Sequence, residues 1–244
     1  MASAANSVAP TIKPGVAPLR AGEGNSFLLR RLHSLSGIVP IGAFLLEHFI
    51  SNFEAFHGSE AYGKQVAFLN SLPFVLAMEI CFIWIPILYH GIYGVWIWWR
   101  GNSNVSAYPW EGNWFYTSQR WTGIIAFIYM IQHTYYLRFT GVHLPTNPMA
   151  SFAKVQGEFQ HPWMIAFYAI AIVAASWHFA YGIWLFCAKW GITTGDKARR
   201  RLGYLCLLLA LGLIGLGAAS MYGFLSRPHH PLDSSSSDNI VMVR

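Results

Sequence analysis

Histidines are the residues of this chain whose type and spacing most clearly invite chemistry, and there are ten of them. Four lie inside long apolar stretches of the sequence: His48, His90, His133 and His178. A buried imidazole is costly in an apolar medium unless it has a partner, so histidines in such stretches are candidates for function. A single one is explained as readily by a hydrogen bond between packed helices. One in each of four successive stretches is much harder to explain by packing alone.

The depth of the four histidines divides them into two pairs. In a helix that rises about 1.5 Å per residue, depth follows from the distance to the basic residue at one end of the stretch. His90 and His178 lie ten and eleven residues from the basic residues that end their own stretches, or about 15 and 16 Å. His133 and His48 lie thirteen and seventeen residues away, or about 20 and 25 Å. The spacing therefore predicts a shallow pair, His90 with His178, and a deep pair, His48 with His133.

An internal repeat accompanies the shallow pair. The pattern H-x-x-Y-G-[VI]-W begins at both His90 and His178. Within it, Gly94 and Gly182 lie one helical turn after the histidine and on the same face. A missing side chain there leaves room for a large flat group or lets two helices approach closely. The first four apolar stretches thus resemble two related hairpins.

Facing pairs of neutral imidazoles in an apolar interior suit the iron of haem b, which takes two axial histidines and no covalent thioether. Zinc usually takes four ligands, often thiolates or carboxylates, and no carboxylate set accompanies these histidines. The three cysteines form neither C-x-x-C nor C-x-x-C-H, so we interpret them as buried, unpaired thiols. Two pairs at two depths predict two haems in series, whose potentials the protein would set by ligation, burial and hydrogen bonding.

The elements that must position these histidines are membrane helices. Only 11% of the residues are charged and 55% are apolar, whereas about 25% are charged in an ordinary soluble domain. A helix needs about 20 apolar residues to cross a bilayer. We therefore predict an all-α integral membrane protein with five transmembrane helices, of which the first four form a haem-binding bundle. The predicted spans are residues 35–56, 72–99, 121–139, 163–188 and 202–225.

The basic residues predict the orientation of the chain. A formal net charge of +6 invites a nucleic-acid interpretation, but these residues lie between the apolar stretches, where membrane topology explains them better. Eleven collect on one side and five on the other, which predicts a cytoplasmic N-terminus and an external C-terminus. Residues 1–26 have no signal-peptide core and are predicted to be a flexible tail. Residues 27–225 form the predicted membrane domain, and residues 226–244 a polar C-terminal tail.

Several sequence runs resemble a known family. Residues 27–48, F-L-L-R-R-L-H-S-L-S-G-I-V-P-I-G-A-F-L-L-E-H, are similar to the start of the di-haem cytochrome b subunit of succinate:menaquinone oxidoreductases, in the succinate dehydrogenase and fumarate reductase family. The similarity continues through S-L-P-F (71–74), L-Y-H-G-I-Y-G-V (88–95), Q-R-W-T-G-I-I (119–125) and W-G-I-T (190–193). It extends over residues 27–225, and so over all five predicted helices.

The resemblance implies a multi-pass subunit of the bacterial cytoplasmic membrane that anchors a flavoprotein subunit and an iron–sulfur subunit. Electrons from succinate oxidation would pass through a proximal and a distal haem b to a quinone, with menaquinone implied by the resemblance alone. His90 and His178 would ligate the proximal haem, nearer the cytoplasm. His48 and His133 would ligate the distal haem. The dicarboxylate active site is expected on a partner subunit, since this chain has no Gly-rich nucleotide fingerprint and no soluble domain.

Four further residues at the predicted cytoplasmic end are candidates for cofactor contact, and one of them, His33, matches a histidine of the family. His33 is a candidate for contact with a haem propionate or a quinone, or else an interfacial histidine bonded to headgroups or a partner subunit. Arg31, Ser34 and Lys189 lie at the level of the proximal haem and are candidates for propionate binding. The positive-inside rule alone would also place the two basic residues there.

Two acids lie within apolar stretches and are candidates for proton transfer to a quinone. Glu47 adjoins His48, and Glu79 lies eleven residues outward from His90. Carboxylates at such depth are expensive and often serve proton relays, although a hydrogen-bonded or outward-pointing acid explains either one. Some di-haem fumarate reductases carry a glutamate two residues before the last haem ligand. Ser176 stands at that position here, so that proton route is in doubt.

Alternative functions remain open on the sequence. A fumarate reductase anchor is the same device run in reverse, and the sequence does not give the direction. The cytochrome b of a hydrogenase or formate dehydrogenase is another quinone-linked possibility, but the match across all five helices argues against it. A transporter with histidine relays would need charged partners along a polar path. A purely structural anchor leaves the four histidines without a role.

Overall fold

The computed structural model describes residues 21–228 of the chain, and their side chains from Ser26 onward. Within that range every regular element is a helix. Most of the two predicted tails, residues 1–26 and 226–244, lies outside the described residues. The first helix already begins at Ala21. The three cysteines are free thiols, as the sequence predicts, but the expectation that all are buried is wrong, since Cys81 is exposed and Cys187 is only partly buried.

The first histidine-bearing rod consists of two helices in close succession. Helix α1 (Ala21–Ile38) and helix α2 (Pro40–His57) are separated only at Val39. Pro40 has no N–H to donate to the preceding turn, which accounts for an interruption at this point. The backbone N–H of Val39 still donates to the carbonyl of Leu35 at 2.9 Å. The two helices therefore act as a single membrane-crossing rod.

The second rod contains a stretch of π-helix. Helix α4 (Val75–Met78) leads into a π-helical segment (Glu79–Trp84), which is followed by helix α5 (Ile85–Arg100). Pro86 lies just after the π segment, and a proline ring clashes with the carbonyl four residues earlier, here that of Phe82. The wider π turn relieves that clash. It also sets the rotation of α5, which carries His90.

The remaining long helices are α6 (Glu111–Phe139), α8 (Pro162–Lys189) and α9 (Asp196–Leu225). Four helices of the described residues are long and apolar enough to cross a membrane, and they correspond to the first, second, fourth and fifth predicted spans: Ser26–His57, Val75–Arg100, Pro162–Lys189 and Asp196–Leu225. Helix α6 contains the third predicted span and has 29 residues, or about 43 Å at 1.5 Å per residue. It is not among those four because polar residues, including Gln119, Arg120, Gln132 and Arg138, interrupt its apolar sequence.

Two short helices occupy segments between the predicted spans, where the sequence predicts loops. Helix α3 (Ser59–Asn70) follows α2, and helix α7 (Ser151–Glu158) precedes α8. A 3₁₀ turn (Pro148–Ala150) leads into α7 and packs against α3. Side chains of α3 and α7 join the ends of α2, α8 and α9 in a buried cluster at one end of the bundle: Ala55, Tyr62, Phe152, Val155, Phe159, Met164, Tyr168 and Phe224.

Helix α8 lies at the centre of the bundle, against α9 on one side and α6 on the other, and α9 also packs along α2. A Cβ atom on Gly223 would lie 2.6 Å from the backbone nitrogen of Phe56, so the missing side chain lets α9 approach α2 closely. The outer faces of the long helices carry large exposed apolar side chains, such as Ile92 (64% exposed) and Leu208 (66%). Extensive apolar exposure of this kind is stable in lipid rather than in water.

Candidate functional site

The structure brings the two imidazoles of the shallow pair together with their ring planes nearly perpendicular. The ring centroids of His90 on α5 and His178 on α8 are 6.1 Å apart, and the ring planes are inclined at 87°. Nδ1 of His90 donates to the backbone carbonyl of His33 at 2.9 Å. Nδ1 of His178 donates to the carbonyl of Gln119 at 3.0 Å. In a neutral imidazole whose Nδ1 carries the proton, the lone pair is on Nε2, which is the nitrogen left free to bind a metal.

Two glycines make these imidazole positions possible. Gly37 on α1 and Gly123 on α6 each come four residues after the accepting carbonyl. A Cβ atom on Gly37 would lie 2.9 Å from Nδ1 of His90, and one on Gly123 would lie 3.0 Å from Nδ1 of His178. Each imidazole therefore lies directly against the backbone of a neighbouring helix.

The two glycines extend the internal repeat of α5 and α8 to the helices that face them. Each is preceded by a hydroxyl residue, Ser36 or Thr122, whose side chain donates to the same backbone carbonyl as the histidine, at 3.0 and 3.2 Å. The residue pairs Ser-Gly and Thr-Gly are the only signal of this arrangement in the sequence. That signal is too weak to predict it, because a carbonyl acceptor leaves no trace in residue type.

The deep pair has the same relative geometry. The ring centroids of His48 on α2 and His133 on α6 are 5.8 Å apart, and the ring planes are inclined at 87°. Nδ1 of His133 faces two phenol groups instead of a backbone carbonyl, since the hydroxyl oxygens of Tyr129 and Tyr168 each lie 3.1 Å away. Neither tyrosine was predicted from the sequence.

Both pairs fit the axial ligation of a haem iron. An imidazole nitrogen binds a metal at about 2 Å, so two rings on opposite sides of one metal have centroids about 6 Å apart. The observed 6.1 and 5.8 Å agree with that separation. No group of three or more histidine, cysteine, aspartate or glutamate residues among residues 21–228 could hold a metal ion. Each pair thus offers two protein ligands and no more, which suits haem and does not suit zinc.

His33 lies beside the shallow pair. Its ring stacks on that of His90 with centroids 4.0 Å apart and planes inclined at 14°. Its Nδ1 is buried and has no hydrogen-bond partner among the described residues. A Cβ on Gly94 would lie 3.2 Å from the His33 ring, and one on Gly182 would lie 3.6 Å from Nε2 of Gln119. Gly94 therefore makes room for the ring of His33, whereas a Cβ on Gly182 would make only an ordinary contact with Gln119.

The three polar residues predicted at the cytoplasmic end are brought together where α1 meets the end of α8. The guanidinium of Arg31 lies 4.8 Å from the ring of Trp190, and the Trp190 indole N–H donates to Ser34 at 3.2 Å. Lys189 donates to the carbonyl of Arg30 at 3.2 Å. Nε of Arg31 is buried with no hydrogen-bond partner in the part of the chain that is described. Within residues 21–228, neither Arg31 nor Lys189 pairs with a carboxylate.

The two acids of the apolar stretches have different partners. Glu47 accepts a hydrogen bond from Ser51, which in turn accepts one from Nε2 of Gln65 at 2.9 Å. Glu79, the first residue of the π segment, forms an ion pair with Arg138 of α6 at 2.7 Å. The sequence does not predict this pair because its residues are 59 positions apart.

Ser176 lies in the middle of α8 and is completely buried. Its hydroxyl has no hydrogen-bond partner among the described residues. A serine at this position cannot take up and release a proton as a carboxylate does.

Comparison with known proteins points to one family. Residues 100–217 match the family model described as the succinate dehydrogenase/fumarate reductase transmembrane subunit. The chain is also similar to the succinate dehydrogenase cytochrome b558 subunit of Bacillus subtilis (strain 168). The two are 34% identical over 199 residues, which is 82% of this chain and 97% of the relative.

Proposed function

The chain belongs to the succinate dehydrogenase and fumarate reductase family of cytochrome b membrane-anchor subunits, and from that premise we propose that it carries electrons through two b haems to a quinone. The observation that carries this proposal is the presence of two perpendicular imidazole pairs, with 6.1 and 5.8 Å between centroids. Bound haem supplies a one-electron carrier whose potential the protein tunes. This chain would supply the imidazole ligands, and it holds those of His90, His178 and His133 by their second nitrogens.

The two pairs order the path of the electron. The shallow pair, His90 and His178, holds the proximal haem on the side where Arg31 and Lys189 cluster. The deep pair, His48 and His133, holds the distal haem. Electrons enter from an iron–sulfur subunit docked on the cytoplasmic face and leave to a quinone, which we take to be menaquinone on the strength of the resemblance.

Helix α6 is the fifth transmembrane helix in this proposal. It carries the Gln119 carbonyl that holds His178 and, fourteen residues later, the deep ligand His133. Since α6 serves both levels, it must run through the same depth as α5 and α8. The N-terminus then lies in the cytoplasm and the C-terminus outside, and residues 27–225 constitute the membrane domain of a bacterial cytoplasmic-membrane protein.

The cytoplasmic cluster is suited to haem propionates. Arg31 and Lys189 are cations without a carboxylate partner in the described residues, and Ser34 adds a hydroxyl. Charge-assisted hydrogen bonds to a propionate would satisfy the buried Nε of Arg31. His33 lies between this cluster and His90, where its free Nδ1 is available to a propionate or a quinone.

Of the two acids, Glu47 is the better candidate for moving protons to a quinone at the distal haem. It adjoins His48 and is continued by Ser51 and Gln65. Glu79 is neutralised by Arg138, so we assign it to holding the π segment against α6. Quinone reduction takes up two protons, and a partnered carboxylate within the bundle is a suitable donor.

The complex is an enzyme, but the succinate chemistry is assigned to a partner. We place the dicarboxylate site on a flavoprotein subunit that reaches this chain through an iron–sulfur subunit. Succinate oxidation and fumarate reduction remain the two directions of the same path.

The haem content of the purified complex tests the proposal. We expect two non-covalent b haems per copy of this chain in a pyridine haemochrome assay. His161→Ala is a control for loss of a histidine outside the two pairs, because His161 is exposed and precedes α8. We expect this variant to retain both haems. A wild-type complex with one haem or none would contradict the proposal.

A further inference from the structure

The deep ligand His133 differs from both shallow ligands in what holds its second nitrogen. Nδ1 of His90 and of His178 donates to a backbone carbonyl, which carries no net charge and cannot be exchanged by substitution. Nδ1 of His133 instead lies 3.1 Å from the hydroxyl oxygens of both Tyr129 and Tyr168, and Tyr168 is the one of the two that donates to a carboxylate. A side chain, unlike a carbonyl, can connect the imidazole to a more distant group.

That distant group is the carboxyl of Glu158. The hydroxyl of Tyr168 donates to one carboxyl oxygen of Glu158, and Nε2 of Gln132 donates to the other at 2.5 Å. Glu158 is 4% exposed and Tyr168 is 5% exposed. Burial raises the pKa of the Glu158 carboxyl, while the hydrogen bonds from Tyr168 and Gln132 and the charge of Lys154 oppose that rise. Since both oxygens accept hydrogen bonds, the surroundings suit an ionised carboxylate.

The hydrogens in this chain of groups point one way. When Nε2 of His133 binds the iron, the ring proton is on Nδ1, and the Nδ1–H group donates a hydrogen bond to the oxygen of Tyr168. Tyr168 donates its own proton to Glu158. A carboxylate at the end of such a chain increases the basicity of the metal-bound imidazole, as carboxylate–histidine–metal arrangements do.

Glu158 does not belong to a membrane-crossing helix. It is the last residue of α7, in the connection between α6 and α8, and Tyr168 belongs to the buried cluster at that end of the bundle. A buried carboxylate destabilises the fold relative to an apolar residue of similar size. The hydrogen-bonded link from Glu158 to a proposed haem ligand explains why an acid is present at this position.

We propose that Glu158 and Tyr168 are positioning residues that fix the imidazole of His133 and lower the redox potential of the haem in the deep pair. A negative charge directed at the ligand stabilises ferric iron over ferrous iron, since the ferric state carries the additional positive charge. The shallow pair has no such chain among the described residues, so the device acts on one haem only. The inference rests on the proposed function, in that it takes His133 as an axial ligand.

Potentiometric titration of the purified complex, followed in the haem optical bands, tests this. In Tyr168→Phe and in Glu158→Gln we expect the equilibrium constant for reduction of the deep haem to increase at least tenfold. Its midpoint potential then rises by at least about 59 mV, since the reduction takes one electron. The shallow haem should keep its potential. Glu158→Asp retains the charge and should shift the deep haem less than Glu158→Gln does.

Tyr62→Phe is the matched control. Tyr62 is a buried tyrosine of the same cluster, and its hydroxyl donates to Oδ1 of Asn52 at 3.1 Å. Asn52 in turn donates to the backbone carbonyl of His48 at 2.8 Å, so Tyr62→Phe removes a neutral hydrogen bond near the deep pair and leaves the carboxylate of Glu158 and its link to His133 intact. We expect it to leave both potentials unchanged. Loss of the deep haem from Tyr168→Phe but not from Tyr62→Phe would also support the inference, because it would show that Tyr168 holds the ligand.

Two results would overturn the inference while leaving the proposed function intact. In the first, both haems are retained with unchanged potentials in Tyr168→Phe and Glu158→Gln. In the second, Tyr62→Phe has the same effect as Tyr168→Phe, which would assign the effect to core packing. A wild-type complex without haem would instead refute the proposed function itself.

Discussion

At the scale of single residues, the imidazoles are positioned by groups that have no distinctive residue type. His90 and His178 each rest on a backbone carbonyl and against a glycine, Gly37 or Gly123. The glycine is required because a Cβ atom would occupy the space of the ring. The same arrangement occurs twice, once between α1 and α5 and once between α6 and α8. The shallow site is therefore built from two copies of one helix–helix contact.

This contact gives a prediction for Gly37→Ala and Gly123→Ala. Each added methyl group would displace one imidazole of the shallow pair, so we expect loss of the proximal haem and retention of the distal haem. Overpacking of this kind costs about 1–3 kcal/mol where a site can adjust, and axial ligation tolerates less displacement than packing does. Haem content and the optical spectrum of the complex measure the effect.

Gly212→Ala is the control for these variants, because an added Cβ at Gly212 meets no atom within 4 Å. It should leave both haems in place. Full haem content in Gly37→Ala and Gly123→Ala would show that the glycines do not set the position of the ligands.

Which residues could be predicted from sequence follows from their chemistry. The proximity of the four histidines could be predicted, because a histidine is costly in an apolar stretch unless it has a partner, and helical rise paired them by depth as the structure does. Their role as haem ligands stays a prediction. Tyr168 and Glu158 could not be predicted, because the tyrosine resembles any core aromatic and the acid lies in a polar connection. The sequence contains no signal that joins two residues from different elements to His133.

At the scale of elements, the bundle owes its ligand geometry to two irregular points. The break at Val39 separates α1, which carries Gly37, from α2, which carries His48. The rotation of α2 about its axis therefore need not follow that of α1. The π segment before Pro86 sets the rotation of α5 and places Glu79 opposite α6. Prolines at positions 40 and 86 were visible in the sequence, but the type of distortion that each one causes depends on the helices packed against it.

The ion pair between Glu79 and Arg138 ties the π segment to α6, and a double-mutant cycle measures its strength. We expect Glu79→Gln and Arg138→Gln each to lower the thermal midpoint of haem release, and the double variant to lose less than the sum of the two. A coupling of about 1 kcal/mol is appropriate for a partly buried pair. Strictly additive effects would show that the two side chains do not stabilise each other.

The two short helices are the elements that the sequence pattern did not predict. Helices α3 and α7 have 12 and 8 residues, which is too short for a membrane span and marginal for an isolated helix in water. They form because their buried side chains, such as Tyr62 and Phe152, join the cluster at the end of the bundle. Tertiary packing, rather than local propensity, determines them.

At the scale of the whole molecule, the surroundings of the two histidine pairs differ in charge. The shallow level lies next to the cationic cluster of Arg31 and Lys189, whereas the deep level is linked through Tyr168 to the carboxylate of Glu158. Positive charge near a haem favours its ferrous state, and negative charge favours its ferric state. If both pairs ligate haem as we propose, this charge distribution predicts that the shallow haem has the higher potential.

The measurement that tests the paired ligation most directly is a redox titration of the complex in four variants, each with one ligand histidine replaced by alanine. We predict that His90→Ala and His178→Ala remove the same haem, the one of higher potential. We predict that His48→Ala and His133→Ala remove the other. If His90→Ala and His133→Ala remove the same haem, or if the wild-type complex titrates as a single haem, the ligands are not paired as we propose.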